Sequence, residues 1–128
     1  MRPRTRREDG DLRRLGRVFD IRLRVMGGDE PAFGPGKAAL LEHIDASGSI
    51  SSAARSLGMS YSRAWRLVEV MNTLFRAPLV ETSAGGLRGG GARLTREGRE
   101  VLGLYRSLEM RLISAAESSA VEFNTRLR

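Results

Sequence analysis

The stretch from Gly48 to Leu67 limits the possible folds of this 128-residue chain more than any other part of the sequence. Gly58 stands near its middle, and glycine is the residue that most easily takes the positive φ angle of a tight turn. On both sides lie small or apolar residues, as expected where two helices cross at a steep angle: Ala53, Ala54, Leu57, Met59, Ala64 and Leu67. The stretch therefore predicts a helix-turn-helix.

Serines stand where the two helices are expected to begin. A serine hydroxyl at a helix N-cap accepts a hydrogen bond from a backbone N–H that has no partner within the helix. Ser51 and Ser60 are placed to act in this way. We expect them to cap the first and the second helix of the motif.

The charge of the chain favours a polyanionic partner without identifying it. Lys and Arg number 22 against 15 Asp and Glu, which gives a formal charge of +7. Such a balance favours nucleic acid or an anionic membrane surface. Because Lys37 is the only lysine, an alternative is that the arginine content reflects the base composition of the genome.

Other residue counts exclude several kinds of site. The sequence has no cysteine and one histidine, His43, which excludes disulfides, thiolate metal sites and His-rich metal centres. We expect no metal and no cofactor. No apolar run approaches the roughly 20 residues of a membrane span, and no hydrophobic segment follows the N-terminal arginines as in a secretory signal. We therefore expect a cytoplasmic protein without a membrane partner.

Three segments precede the helix-turn-helix. Residues 1–16 are rich in arginine and poor in apolar residues, which predicts a disordered leader. Apolar and polar residues then alternate from Val18 to Met26, which predicts a half-buried strand. A helix is expected from about Pro35 to Ser47, because an apolar stripe runs through it and Gly48 is a suitable stop.

A hairpin is predicted after the helix-turn-helix. Residues 79–82 and 92–94 have strand character, and a glycine-rich loop over residues 83–91 joins them and carries Arg88. Such a hairpin is the wing of winged-helix domains. The glycines alone would also suit a phosphate-binding loop, but no Lys-Ser/Thr pair follows Gly91 and the loop opens into a strand.

The last predicted helix covers residues 95–123, with Thr95 as its N-cap, and a frayed tail follows at 124–128. Its apolar seam is longer than one small core needs, so dimerisation is favoured over simple packing on the domain. We expect the interface to contain Val101, Leu104, Tyr105, Leu108 and Leu112. The whole prediction is a mainly α fold with a small β-hairpin, β-α-α-α-β-wing-β-α: a winged helix-turn-helix over residues 17–94 and a long C-terminal dimerisation helix.

Several motifs occur in the order found in one family. They are Gly48-Ser-Ile-Ser-x-Ala-Ala, Met59-Ser-Tyr-x-x-Ala-Trp, Met71-Asn72, Pro78-Leu-Val and Gly85-Gly-x-x-Gly-Gly-Gly-Ala-x-Leu-Thr95. This series resembles the N-terminal domain of ModE-type molybdate-responsive transcriptional regulators and, more distantly, the motif is similar to that of LysR-type regulators. The resemblance covers roughly residues 18–116.

The resemblance implies a homodimer joined through the last helix, with paired recognition helices set into successive major grooves of a palindromic operator. It also implies a connection with molybdate transport or molybdenum metabolism. Full-length members carry C-terminal domains that bind molybdate or tungstate, and the sequence ends where these would begin. Molybdate binding by this chain is therefore doubtful, and the chain is either a short natural member or a fragment.

The partner expected from the motif is double-stranded DNA. Residues 60–75 form the predicted recognition helix, and arginine can present a bidentate donor pair to guanine or phosphate. Hydroxyl groups at the starts of the two helices suit phosphate or base-edge contacts. The predicted DNA-binding residues are Ser51, Ser52, Ser60, Tyr61, Ser62, Arg63, Arg66 and Arg88, with Lys37 and Arg93 as weaker candidates.

Each of these assignments has an alternative. Ser51 and Ser60 could serve only as caps, and Trp65 is favoured as an anchor between helices over a base reader. Glu69 could accept from cytosine N4 or pair with Arg66. For the whole chain, the alternative is a winged-helix adaptor for protein interaction or dimerisation. An enzyme is not expected, because the residues for acid–base or nucleophilic catalysis are lacking.

Overall fold

The computed structural model describes residues 18–83 and 91–128. Residues 23–105 form one compact unit, and residues 18–22 with 106–128 form another. The strands are β1 (Val25–Gly27), β2 (Glu30–Phe33), β3 (Val80–Thr82) and β4 (Ala92–Leu94), and the helices are α1 (Pro35–Ser47), α2 (Ile50–Leu57), α3 (Tyr61–Leu74), α4 (Arg96–Glu117) and α5 (Ala120–Asn124). This order is that of a winged helix-turn-helix followed by a long helix, as predicted.

The first strand is shorter than the alternating pattern predicts. β1 pairs antiparallel with β2 across a turn at Gly28, which has a φ of 68°. The prediction of a strand starting at Val18 was wrong for residues 18–24, because β2 ends at Phe33 opposite Val25 and the strand β1 begins only at Val25. β2 was not predicted, since its Pro31 is typical of an edge strand and obscures the pattern.

Phe33, at the end of β2, lies at the centre of the core and is fully buried. Its ring makes edge-on contacts with Phe75, at 6.2 Å between ring centroids, and with Tyr105, at 5.1 Å. The Tyr105 hydroxyl donates a hydrogen bond to the Leu23 carbonyl at 2.7 Å. α1 has the predicted bounds and supplies the opposite wall with its buried stripe: Ala38, Leu40, Leu41 and Ile44. Edge-on aromatic pairs add to the stability that burial alone provides.

The side chain of Asn72 connects α3 to β3. Its Oδ1 accepts hydrogen bonds from the backbone N–H groups of Leu79 at 2.8 Å and Val80 at 3.2 Å. Its Nδ2 donates to the Val80 carbonyl at 3.0 Å. One amide therefore satisfies three backbone groups of a short strand and fixes that strand against the helix.

The start of α4 rests on the same segment. Thr95 caps the helix as predicted, since its Oγ1 accepts from the Gly98 N–H at 2.9 Å and donates to the Pro78 carbonyl at 2.7 Å. The Thr95 N–H donates to the Leu79 carbonyl at 2.9 Å. Gly98 is buried, and a Cβ atom at this position would lie 2.1 Å from the Leu79 carbonyl oxygen. Only glycine allows this close approach of helix and strand.

The long C-terminal helix is interrupted. The prediction of one helix to residue 123 was wrong, because α4 ends at Glu117 and α5 begins at Ala120. At the break, the Ser118 hydroxyl donates to the Ala115 carbonyl at 2.8 Å and the Ser119 N–H donates to the Ala116 carbonyl at 3.0 Å. Serine side chains compete in this way with the regular helical bonds.

None of the helices within residues 18–83 and 91–128 is both long and apolar enough to cross a membrane. No group of three or more His, Cys, Asp or Glu residues in these ranges is arranged to hold a metal ion.

Two glycines of α4 should respond in opposite ways to alanine. Gly98→Ala should lower the free energy of unfolding by about 1–3 kcal/mol, since the added methyl group meets the Leu79 carbonyl. Gly103→Ala should raise it by about 0.5–1 kcal/mol, because a Cβ there meets no atom within 4 Å and alanine favours the helix. Urea unfolding followed by circular dichroism measures both. Equal stability of Gly98→Ala and wild type would contradict the packing described above.

Candidate nucleic-acid interface

The turn between α2 and α3 has the predicted geometry. Gly58 is left-handed, with φ 69° and ψ 29°. Its N–H donates to the Arg55 carbonyl at 3.2 Å, and the Met59 N–H donates to the Ala54 carbonyl at 3.0 Å. These bonds satisfy carbonyls at the end of α2. At the start of α3, the Ser60 Oγ accepts from the Arg63 N–H at 3.1 Å, which confirms the predicted cap.

Ser49, and not Ser51, caps α2. The Ser49 Oγ accepts from the Ser52 N–H at 3.1 Å, and Ser49 has the extended backbone of a residue just before a helix. The prediction of Ser51 as the cap was wrong because α2 begins at Ile50, so Ser51 already lies inside the first turn. Ser51 is exposed, and its hydroxyl is not used as a cap.

The outer face of α3 presents most of the predicted DNA-binding residues together. Its buried residues, Ala64, Val68 and Met71, face the core. The exposed residues on its N-terminal half are Tyr61, Ser62, Arg63 and Arg66. The hydroxyls of Ser60 and Ser62 lie 3.3 Å apart at the start of this face. A polar surface with two cations therefore begins at the N-terminus of the helix.

The two arginines of this face are not neutralised by acidic partners within residues 18–83 and 91–128. The salt bridges there involve other arginines, such as Arg93 with Glu81 and Arg96 with Glu100. Glu69 forms no salt bridge with Arg66 in the same ranges, so one of the two interpretations of Glu69 is not realised. Arg63 and Arg66 keep their guanidinium donors available for a ligand.

Lys37 lies near the same face. It is half-buried in the first turn of α1, and its Nζ donates to the Pro31 carbonyl at 3.2 Å. Burial lowers the pKa of Lys37; the carboxylate of Glu30 opposes this shift and the positive charge of Arg63 adds to it. β2, the strand that the sequence analysis missed, positions Lys37 in this way.

The wing strands complete the surface. β3 and β4 pair in the register Val80–Leu94 to Thr82–Ala92, and the Ser83 N–H donates to the Gly91 carbonyl at 3.0 Å. The Ala92 N–H donates to the Gly48 carbonyl at 2.9 Å, which fixes the base of the wing to the turn before α2. Arg88, the predicted wing contact, lies outside the described residues. Because Arg93 is paired with Glu81, it is a weaker candidate than Arg63.

A small cleft lies where the starts of α2 and α3 meet the wing strands. We call it the hydroxyl cleft. Its volume is about 230 Å³, and its walls include Ser51, Tyr61, Trp65, Thr82, Ser83 and Ala92. Trp65 is half-buried against the core, and its ring contacts that of Tyr61 edge-on at 6.2 Å between centroids. Trp65 is thus an anchor, and the exposed Tyr61 forms the rim.

The similarity to known proteins includes the region that contains this surface. The family model of the lysR-type bacterial regulatory helix-turn-helix proteins matches residues 37–99, from the first turn of α1 into α4. "Molybdenum transport protein ModE" of Azotobacter vinelandii is 42% identical over 85 residues, which are 66% of this chain and 32% of that protein. "DNA-binding transcriptional dual regulator ModE" of Escherichia coli K12 is 48% identical over 71 residues, 56% of this chain and 27% of that protein.

Residues 37–99 match the lysR-type helix-turn-helix model, and the similarity to ModE proteins supports a ModE-type helix-turn-helix domain in this chain. "Molybdenum-pterin-binding protein MopB" of Rhodobacter capsulatus is also similar, at 44% identity over 89 residues, 67% of this chain. The chain spans about a third of the length of the relatives it matches. The likeness therefore concerns one part of each relative, and residues 37–99 of this chain, which contain α2, α3 and the wing strands, are called the ModE-type domain below.

The structure adds residues to this surface that the sequence analysis did not select. Thr82 and Ser83 lie at the end of β3, far from the helix-turn-helix in sequence, and only the wing register brings them beside Tyr61. Ser49 and Ser51 are the same residue type two positions apart, and Ser51 was the predicted cap. The extended conformation of Ser49 distinguishes them, and this conformation is not visible in the sequence.

The two serines before and within α2 provide a test of the corrected cap. Ser49→Ala should lower the free energy of unfolding by about 1 kcal/mol, because the Ser52 N–H loses its acceptor. Ser51→Ala should change it by less than about 0.5 kcal/mol, as for an exposed residue. Thermal or urea unfolding measures the difference between these matched variants. A larger loss for Ser51→Ala than for Ser49→Ala would show that α2 begins later than described.

Proposed function

We propose that the ModE-type domain binds double-stranded DNA as a transcriptional regulator connected with molybdenum, and that α3 enters the major groove. The observation that carries the proposal is the outer face of α3, where Arg63 and Arg66 are exposed and have no acidic partner within the described ranges. An exposed arginine that is not paired with a carboxylate can contact guanine O6 and N7 with two parallel hydrogen bonds. The names of the ModE relatives from E. coli and A. vinelandii support the function and its link with molybdenum.

Phosphate contacts would position this helix. The hydroxyls of Ser51, Ser60 and Ser62 are exposed around the starts of α2 and α3, where they can donate to phosphate oxygens. Ser52 contributes less, because its N–H is bound by Ser49 and its hydroxyl accepts from Arg55 at 3.4 Å. The positive charges of Lys37 and Arg63 would also attract phosphate groups to this surface. The formal charge of +7 supports a strong non-specific attraction to DNA as well.

The arginines of α3 can be tested directly. The wild-type protein should bind a duplex from the promoter region beside its own gene with submicromolar affinity that falls steeply as salt rises. Arg63→Ala/Arg66→Ala should abolish the preference for this duplex over a scrambled one, since each bidentate contact accounts for about tenfold or more in discrimination. Fluorescence anisotropy of labelled duplexes gives both quantities.

A double variant with the same change in charge is the control. Arg96 and Arg111 are exposed on α4, outside the helix-turn-helix, so Arg96→Ala/Arg111→Ala should keep the sequence preference. If the α3 variant retains the preference of wild type, α3 is not the reading helix. If wild type itself prefers no duplex, an adaptor function for the winged helix becomes the better explanation.

We further propose that the protein is a homodimer that binds a palindromic operator, with α4 in the interface. Leu104 is 70% exposed, an unusual state for a leucine in a long helix, and Leu108 and Leu112 are half-exposed. Tyr105 is removed from the predicted interface, because it is buried in its own chain and bonded to Leu23. Val101 is half-buried against the same core and contributes only its exposed part. A two-fold dimer would place two copies of α3 one turn of DNA apart, about 34 Å.

Leu104 provides the test of the dimer. Leu104→Asp should give a monomer at micromolar concentration, because the new charge would be buried against the partner while the exposed position leaves the fold of the chain intact. Gly103→Asp adds the same charge one residue earlier, about 100° around the helix, and should remain dimeric. Sedimentation equilibrium gives the masses. A monomeric wild type would rule out the interface, and a dimeric Leu104→Asp variant would place it elsewhere.

A further inference from the structure

The hydroxyl cleft has an unusual lining for a site on a DNA-binding surface. Four of the residues that line it carry a hydroxyl group: Ser51 in α2, Tyr61 in α3, and Thr82 and Ser83 at the end of β3. The Ser83 Oγ accepts from the Gly91 N–H at 3.2 Å. Ile50 and Ala92 supply apolar walls. None of the described residues that line the cleft is charged, although Arg63 stands on the same helix as Tyr61. The polar atoms around the cleft are therefore neutral donors and acceptors.

This lining fits one sugar-phosphate unit of a DNA strand. Serine, threonine and tyrosine hydroxyls are common donors to phosphate oxygens, and they position the strand without reading its sequence. The carbon atoms of deoxyribose can pack on the apolar walls and on the edge of Trp65. One sugar-phosphate unit can therefore make hydrogen bonds through its phosphate and apolar contacts through its sugar.

A free small-molecule ligand fits the cleft less well. Its volume of about 230 Å³ is below the roughly 300–1,000 Å³ of pockets that enclose independent ligands. Among the described residues that line the cleft there is also no cation to compensate the charge of a free anion. A phosphate of duplex DNA does not have this difficulty, because cations such as Arg63 can neutralise its neighbours along the strand.

We propose that the hydroxyl cleft holds one sugar-phosphate unit of bound duplex DNA through neutral hydroxyl donors. The inference rests on the proposed DNA binding and adds a component of affinity that does not depend on salt. The positive charges of Arg63 and Arg66 also neutralise phosphates beside the groove and displace counterions there, so this part of their contribution weakens as salt rises. The contacts of Tyr61 and Thr82 replace water with hydroxyl groups and release no counterion.

The experiment removes one hydroxyl at a time and retains the shape of the side chain. Tyr61→Phe keeps the ring contact with Trp65, and Thr82→Val keeps the branched shape that suits a strand. Both residues are exposed, so neither change should disturb the fold. Affinities for the promoter duplex are measured by anisotropy between about 50 and 200 mM salt, together with those of Arg63→Gln and of Thr82→Ser, which retains a hydroxyl.

Each cleft variant should bind about threefold to tenfold more weakly at every salt concentration, with an unchanged slope of log K against log salt. Arg63→Gln should instead reduce that slope by about 0.9, and Thr82→Ser should bind as wild type does. A duplex with one neutral methylphosphonate at the contacted position should weaken wild type but not weaken Tyr61→Phe further, because the two changes remove the same contact.

The possible outcomes distinguish a failure of the cleft proposal from a failure of the proposed DNA-binding function. If wild type binds and Arg63→Gln lowers the slope, but both cleft variants bind as tightly as wild type, the cleft does not hold DNA. A cleft variant that lowers the slope as Arg63→Gln does would show that its contact is ionic, against the proposal. If wild type binds no duplex at any salt concentration, the DNA-binding function fails and the cleft proposal fails with it.

Discussion

The amide of Asn72 is the contact on which the arrangement of this domain most depends. It accepts from the N–H groups of Leu79 and Val80 and donates to the Val80 carbonyl, so it fixes β3 to α3. The Leu79 carbonyl then accepts from Thr95, whose side chain begins α4. Loss of the amide would leave three backbone groups of β3 without their partner, and buried polar groups in this state are costly.

This network gives α3 a fixed relation to the wing base. The turn before α2 is held as well, because the Gly48 carbonyl accepts from Ala92 in β4. Helix and hairpin therefore meet at two hydrogen-bonded points, and the hydroxyl cleft lies between them. A surface that follows a nucleic-acid strand needs such rigidity, since contacts from separate elements must match the fixed spacing of the phosphates.

Much of the domain could be predicted from local sequence signals. Gly58 and Ser60 act through their immediate neighbours, so their roles as turn and cap were visible in the residue types. The predictions that were wrong or missing concern contacts between segments that are distant in the sequence. β2 depends on its pairing with β1, and the burial of Tyr105 depends on packing against Phe33 and Leu23. No periodicity within one segment reports such contacts, because the partner lies elsewhere in the chain.

The same distinction applies to the candidate site. Arg63 and Arg66 were selected because one helix face determines their position, and the structure places both on its exposed side. Lys37, Thr82 and Ser83 join this surface only through tertiary structure. For this reason Lys37 was predicted only as a weaker candidate, and Thr82 and Ser83 were not predicted. Choosing between Ser49 and Ser51 required the backbone conformation itself.

We propose above that α3 of the ModE-type domain reads DNA. Selection of genomic fragments on the purified protein, followed by hydroxyl-radical footprinting of an enriched fragment, tests this proposal. We expect enrichment of a short inverted repeat, protected on one side of the duplex in two regions about 34 Å apart. Recovery of fragments without a common sequence, or a uniform footprint, would contradict specific reading by α3.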